Sequence, residues 1–502
     1  MTTMIGPLAR AVRVAPERVA VHCGETELTY AQTWERCRRL AGALRGLGLD
    51  EGDRVAVVGA NCHRYLELYQ AVPGAGLTIV PLNRRHAPAE LAYALEDSGA
   101  RVLFAGAGIE VPRDGLEHVI DLGEGYEELL AGATPADFRD LEPDALAGLF
   151  YTGGTTGAAK GVMLTHRNLV ANALHYQVCW PFRRETRWLI APPLFHAAGS
   201  IAVLATVWNA GEQVVLPAFD PCVALELVER YGATATTVVP TMLAAITEEQ
   251  LARPRDVSTL RWIGHGGAPI ATETLRRAHT AFPDARLLHI YGATETSPIA
   301  TLLPEEELLL DTPQARSCGQ PAVGVEVTIR DELGEPVPVG SVGELAIRGD
   351  NVMVGYWNKP KETAAALADG WYRSGDLGYQ DEHGYIYLVD RAKDMIVTGG
   401  ENVYCSEVEE ALFRHPAVGE AAVFGIPDER WGEAVHAVVV PRKAVSEDDL
   451  REHCRALIAG YKVPKAIELR AEPLPKSAAG KVLKRELRAP YWAGQEAAVA
   501  GA

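Results

Sequence analysis

Apolar residues recur in two rhythms along the first part of the chain. Leu40, Ala43, Leu44 and Leu47 are three or four residues apart, the period of a helix with one buried face. Thr29 stands three residues before Gln32, a capping-box pattern that would start such a helix, so the spacing predicts a helix from about Tyr30 to Leu47. Arg54-Val-Ala-Val-Val-Gly59 is a short unbroken apolar run, as expected of a strand covered on both faces. A helical stretch through Tyr65 and Leu68 follows, and then a strand pattern in Leu77-Thr-Ile-Val-Pro81. Further apolar runs at 102–104, 189–191, 213–216, 235–239, 262–263 and 287–290 alternate with helical stretches. This β-α-β punctuation predicts an α/β fold, with a large N-terminal domain of parallel α/β sheets.

After Gln320 the rhythm changes. Residues 325–330, 343–348 and 385–389 alternate apolar and polar side chains, and Gly/Pro turns such as Glu335-Pro-Val-Pro-Val-Gly340 separate them, which predicts a small β-rich part over 320–390. Beyond Asp394 two helical stretches and two strands, at 421–424 and 434–440, predict a small α+β C-terminal domain.

With 502 residues, the chain is expected to build more than one core. Forty-eight Lys and Arg against 66 Asp and Glu give a net charge of −18 with no basic block, which disfavours nucleic acid as a partner. No stretch of about 18 apolar residues occurs, and Arg10 and Arg13 interrupt the first residues, so no transmembrane segment and a cytoplasmic protein are expected. The eight cysteines include no C-x-x-C pair, which suggests neither a zinc site nor a disulfide framework.

The chemistry is concentrated in Tyr151-Thr-Gly-Gly-Thr-Thr-Gly-Ala-Ala-Lys-Gly161. Its glycines bring backbone N–H groups close to an anion, its threonines add hydroxyl donors, and Lys160 adds positive charge. The spacing is not that of a Walker loop, because Lys160 follows Ala159, and Gly480-Lys481 has Pro475 where the first glycine would stand. The run resembles the phosphate-binding loop of the adenylate-forming superfamily, which includes the acyl-CoA synthetases, with Gly153 in place of the usual serine and Ala159 in place of the usual proline. Four more segments match that family in order: Tyr291-Gly-Ala-Thr-Glu-Thr296; Trp371-Tyr-Arg-Ser-Gly-Asp376; Asp390-Arg-Ala-Lys-Asp394 with Gly399-Gly-Glu-Asn-Val-Tyr404; and Pro475-Lys-Ser-Ala-Ala-Gly-Lys481.

The resemblance implies an AMP-forming acid:CoA ligase using ATP, Mg2+ and coenzyme A, with an adenylation domain over 1–392 and a mobile lid domain over 393–502. It implies that Thr152, Gly153, Gly154, Thr155, Thr156, Gly157 and Lys160 hold the phosphates and that Glu295, helped by Thr156, binds magnesium. Gly267, Ala268, Pro269, Tyr291, Gly292 and Thr294 would surround adenine, and Asp376 and Arg391 the ribose and phosphate side. Lys481 would bridge the carboxylate and α-phosphate during adenylation, and Lys393 would be the hinge between two poses. Gly399, Gly400 and Glu401 would border the pantetheine channel, with Lys462 meeting CoA phosphate.

The acyl pocket would draw on Phe195, His196, Ala197, Gly199, Ser200, Val239, Gly266, Gly267, Thr296 and Ile299, with His196 beside the reacting carboxylate. The corresponding segments contain no Lys, Arg, Asp or Glu, so a dicarboxylate or an amino acid would leave a charge unpaired there. A medium- or long-chain fatty acid is favoured, an aryl acid of cinnamate or benzoate type comes next, and His196 and His265 are either polar markers for a ring hydroxyl or a gate and a core histidine. A carrier protein's phosphopantetheine is the alternative acceptor, and a catalytically silent nucleotide-binding protein the alternative function. The sequence leaves the oligomeric state open.

Overall fold

A computed structural model describes residues 3–152, 159–180, 182–268, 270, 272–391, 394–398, 401–428, 430–476 and 482–492. The chain packs as two compact units. One comprises Met1–Gly267, Arg277–Val327 and Ala346–Arg373, and the other Ala268–Arg276, Thr328–Leu345 and Ser374–Ala502.

The first unit contains two large sheets. In the nine-stranded sheet the neighbours run Gln320–Pro321, Thr301–Pro304, Arg286–Tyr291, Trp262–Gly266, Ala235–Val238, Arg187–Ile190, Glu212–Val215, Val19–Cys23 and Thr26–Thr29. Its interior pairs are parallel, and antiparallel pairs close both edges. The seven-stranded sheet is parallel from Leu146–Thr152 through Thr78–Leu82, Arg54–Val58 and Ala100–Ala105 to His118–Asp121. At its other edge Lys160–Thr165 pairs antiparallel with Leu146–Thr152, and Gly355–Tyr356 pairs antiparallel with Lys160–Thr165.

Local chemistry explains several boundaries. Thr29 caps the helix Tyr30–Gly46 by accepting from Gln32 N, and the Gln32 side chain returns the bond to Thr29 N, the reciprocal satisfaction expected of a capping box. The strand Trp262–Gly266 runs three residues beyond the apolar run at 262–263, through two glycines and a histidine. Pairing with its neighbours and burial on both faces decide this segment, overriding the weak strand propensity of glycine. The strand's own Trp262 joins Tyr176, Trp180, Phe182 and Trp188 in a group of packed rings, with Trp180 lying 5.0 Å from Trp188 and 5.7 Å from Trp262.

The second unit holds a sheet in the order Glu401–Val403, Ile396–Thr398, Gly432–Pro441 and Val418–Asp428, with Ala466–Leu469 also on Gly432–Pro441. Helices Cys405–Phe413 and Glu447–Leu457 contribute Val408, Leu412 and Leu450 to its core, against Ile396, Val423, Val435 and Ile467. Among the described residues beyond Asp394 there are therefore five strands and three helices, the third being Lys484–Trp492, where two of each were expected. The short strands at 396–398 and 401–403 carry too few alternating positions to announce themselves. The β-rich stretch includes the long strand Trp371–Gln380, whose second half pairs antiparallel with Ile386–Arg391.

Candidate active site

The Gly/Thr segment joins two antiparallel strands. Thr152 at the end of one pairs with Lys160 at the start of the other, so both residues flank the tip. Gly153, Gly154, Thr155, Thr156 and Gly157 lie outside the described residues. Tyr151, which opens the motif, donates its hydroxyl to Asp97 Oδ2 at 2.8 Å. Asp97 also lies 3.6 Å from the Lys359 ammonium, and its carbonyl accepts from Trp357 Nε1 at 2.9 Å. Helix Pro88–Ser98 thus anchors the base of this hairpin.

Glu295 sits in the turn Thr294–Thr296, which follows the carboxyl end of the strand Arg286–Tyr291. Ligands of open α/β sheets collect at such strand ends. Gly292 is required here by close approach, since a Cβ would fall 1.9 Å from Pro298 O. Ala293 N donates to Thr296 Oγ1 at 3.0 Å. Asn351, fully buried, donates to Thr296 O and Ile299 O at 3.0 and 2.6 Å, and Met353 N donates to Glu295 O at 2.8 Å. The Glu295 carboxylate accepts from the Tyr356 hydroxyl at Oε1, 2.8 Å away, and among the described residues nothing donates to Oε2. The Lys160 ammonium lies 4.8 Å from the centre of the same Tyr356 ring.

No group of three or more His, Cys, Asp or Glu that could hold a metal occurs among the described residues. One oriented carboxylate with an oxygen to spare nevertheless fits magnesium brought in with ATP, because that ion takes most of its ligands from phosphate and water.

The other candidate nucleotide residues are divided between the two compact units, and some lie outside the described residues. Tyr291 is buried at its strand end, and Gly267 has φ +83°. Pro269 lies outside the described residues. In the second unit the strand register sets Asp376 opposite Arg391. Asp376 N donates to Ser374 Oγ at 3.1 Å and Gly375 N to Glu344 Oε1 at 2.9 Å. Glu401 is exposed in its short strand, while Lys393, Gly399, Gly400 and Lys481 lie outside the described residues. Lys462 bonds both carboxylate oxygens of Glu407, at 2.8 and 2.7 Å. Burial works against its charge, but the Glu407 carboxylate outweighs burial and holds the ammonium above its usual range.

Of the acyl-pocket candidates, Ala197, Gly199, Thr296 and Ile299 are buried, and Phe195, His196, Val239 and Gly266 are half-buried. Gly199 N donates to His196 O at 2.8 Å at the start of the helix Ala197–Trp208. Ser200 belongs to that helix, and its side chain is outside the description. His265 is a core histidine. Its ring stacks on His289 with centroids 4.9 Å apart, and its Nε2 lies 2.5 Å from Glu306 Oε2. Burial would raise the Glu306 carboxyl, yet His265 outweighs it and holds the group below its usual value.

Sequence reading missed Tyr356, Asp97 and Asn351. Glycine before an aromatic pair at 355–357 was the one local signal for the first. Asp97 and Asn351 act through tertiary contacts that no spacing announces.

Residues 8–357 match the family model described as AMP-binding enzyme, and residues 407–481 match the AMP-binding enzyme C-terminal domain. The chain belongs to the AMP-binding enzyme family. Feruloyl-CoA synthase of an Amycolatopsis species is 41% identical over 494 residues, covering 96% of this chain and 97% of that protein. Fatty acid–[acyl-carrier-protein] ligase ScoC of Streptomyces coeruleorubidus is 38% identical, covering 95% of this chain and 94% of its own. Among solved structures, the o-succinylbenzoate-CoA synthetase of Bacillus subtilis with ATP and magnesium superposes with a TM-score of 0.85 at 32% identity, over 96% of this chain and 98% of that one. This AMP-binding enzyme is an acid–thiol ligase of the AMP-forming type, with the mixed α/β architecture of its structural neighbours. Among its described residues no helix is long and apolar enough to cross a membrane.

Proposed function

We propose that this AMP-forming ligase is an acyl-CoA synthetase whose acid is an aryl acid of the phenylpropenoate class. One observation carries the choice of acid. A Cβ on Gly264 would lie 2.9 Å from the Trp180 ring and 3.1 Å from Ile290 Cδ1, and both of those side chains are buried. The strand that the family resemblance gives to the acyl pocket is thus backed by a packed indole held among four other aromatic rings. A strand backed so closely has little room to give way behind it, which suits a short flat acid better than a long flexible chain. The 41% identity to a feruloyl-CoA synthase supports the same choice over the fatty acid favoured by residue types alone. The fatty acid is the second reading, on the likeness to ScoC.

In this reading the acid's carboxylate attacks the α-phosphorus of ATP, giving acyl-AMP and pyrophosphate, and the CoA thiol then displaces AMP. Thr152, the following glycines and threonines, and Lys160 hold the phosphates. Glu295 and Thr156 would hold magnesium, which supplies neutralisation of phosphate charge. Tyr291, Asp376 and Arg391 hold the nucleoside, and Lys481 stabilises the charge developing between carboxylate and α-phosphate. We place the domain boundary at 392/393, with Lys393 as the hinge, between the two family matches. Free CoA as acceptor is supported by Trp431, exposed with the Arg430 guanidinium 4.6 Å and the Lys465 ammonium 4.9 Å from its ring, an aromatic and cationic surface suited to a phosphorylated nucleoside. Eight free cysteines agree with a cytoplasmic enzyme.

The test is mass spectrometry of products from magnesium-ATP, CoA and a pool of cinnamates, benzoates and fatty acids. Aryl-CoA with AMP, formed with kcat/KM at least about tenfold above any fatty acid, is expected, since pocket contacts discriminate by roughly 1–3 kcal/mol. Preference for a fatty acid would replace the first reading by the second, and acyl-AMP without thioester would move the acceptor to a carrier protein.

A further inference from the structure

We propose that Tyr356 is a positioning residue for magnesium-bound ATP: it aims the Glu295 carboxylate and holds it apart from the Lys160 ammonium. The inference rests on the reading of Glu295 as the magnesium ligand.

Lys160 and Glu295 are the cation and the carboxylate of the nucleotide site. Left to themselves, two such groups in a partly buried cleft would pair and neutralise each other, leaving neither for ATP. Among the described residues no ion pair joins them. Tyr356 touches both instead. Its hydroxyl donates to Glu295 Oε1 at 2.8 Å, and its ring face receives the Lys160 ammonium at 4.8 Å. The ring therefore gives the lysine a site that leaves its charge unspent, while the hydroxyl occupies one carboxylate oxygen and leaves the other without a donor among the described residues.

The backbone makes this placement rigid. Tyr356 pairs with Val162 on the strand that carries Lys160, Trp357 N donates to Gly161 O at 2.8 Å, and Tyr356 N donates to Thr363 Oγ1 at 2.9 Å. A few residues earlier, Asn351 and Met353 grip the turn around Glu295. The segment 351–357 is thus stitched on one side to the metal turn and on the other to the phosphate hairpin. A tyrosine that was only a core aromatic would need neither contact, and phenylalanine would serve in its place.

Binding of ATP, measured by titration calorimetry with saturating magnesium and again in EDTA, separates the roles. Tyr356→Phe keeps the ring and loses the hydroxyl, so magnesium-dependent binding is expected to weaken about tenfold, in line with a hydrogen bond to a charged group, while binding in EDTA stays within about twofold of wild type. Tyr356→Leu removes the seat of Lys160 as well and is expected to weaken binding in both conditions. Equal loss in both conditions for Tyr356→Phe, or no loss in either, overturns the proposal. Should Tyr356→Phe also lower the melting temperature, Glu295→Gln alone is compared with Glu295→Gln combined with Tyr356→Phe. The proposal requires less than about a further twofold loss with magnesium, because the first variant already lacks the charged carboxylate that the tyrosine would aim. If Glu295→Gln itself leaves magnesium-dependent binding unchanged, the metal-ligand reading fails; if it weakens binding and Tyr356→Phe does not, only the role of Tyr356 fails.

Discussion

Three lysines carry the proposed chemistry, each in different company. Lys160 rests against an aromatic ring with its charge unspent, whereas Lys462 is bound to both oxygens of Glu407, so a CoA phosphate must displace that carboxylate to reach it. Lys481 has its place in the Pro475-Lys-Ser-Ala-Ala-Gly-Lys481 segment to speak for it, and kinetics test its role. Lys481→Ala is expected to slow formation of acyl-AMP at least about a hundredfold, the cost of one preorganised transition-state cation. Conversion of synthetic acyl-AMP and CoA to thioester should fall less than about threefold. Equal loss in both half-reactions, followed by product chromatography, would assign Lys481 to binding rather than to adenylation. Lys160 and Glu295 were singled out by their places in motifs that resemble the family's, not by residue identity. Residue identity was not enough to place His265 either, because a histidine beside pocket glycines reads the same from the sequence whether it faces substrate or, as here, Glu306 and His289.

At the scale of elements, the proposed nucleotide site depends on how a hairpin and a turn are anchored. The base of the hairpin is tied to helix Pro88–Ser98 through Asp97, which takes the Tyr151 hydroxyl and faces Lys359. Removing that carboxylate should loosen the hairpin while leaving more distant elements alone. Asp97→Ala is expected to raise the KM for ATP about three- to tenfold, the range of one charged hydrogen bond that is partly replaced by water, with the KM for CoA unchanged in steady-state assays. A parallel rise in both constants would mean general destabilisation. The buried strands at 54–58, 78–82 and 100–105 were legible because their apolar runs are unbroken. The strand Lys160–Thr165 and the two-residue strand Gly355–Tyr356 were not: the first hides behind a glycine-rich run, and the second exists only because a neighbouring strand offers it hydrogen bonds. The same dependence on partners explains why the turn that presents Glu295 needs Asn351, far away in sequence, to satisfy its carbonyls.

Across the whole molecule, the family resemblance implied one boundary at 392/393, and the second compact unit comprises Ala268–Arg276 and Thr328–Leu345 as well as Ser374–Ala502, a grouping that a linear reading has no way to assign. A bulk property follows from burial in the first unit. His63, His166, His175 and His289 are each driven down to about 4, with loss of hydration as the leading cause. His166 shows why the neutral ring matters, since its Nδ1 accepts from Met4 N at 3.1 Å, a bond that a protonated ring would forfeit. An unfolded chain takes up these protons near pH 6.5 and the folded one only near 4, so the unfolded state binds more protons in that window. Stability from these groups is therefore complete above about pH 6.5, declines as the pH falls toward 4, and is lost below it. The melting temperature should accordingly drop between pH 6.5 and 4 in differential scanning fluorimetry. His166→Gln, which keeps an acceptor for Met4 N but cannot be protonated, should lower the melting temperature at pH 7 slightly and flatten the acid slope by roughly the share of one proton in four. An unchanged slope in that variant would mean that carboxylates, rather than the buried histidines, govern the acid limb.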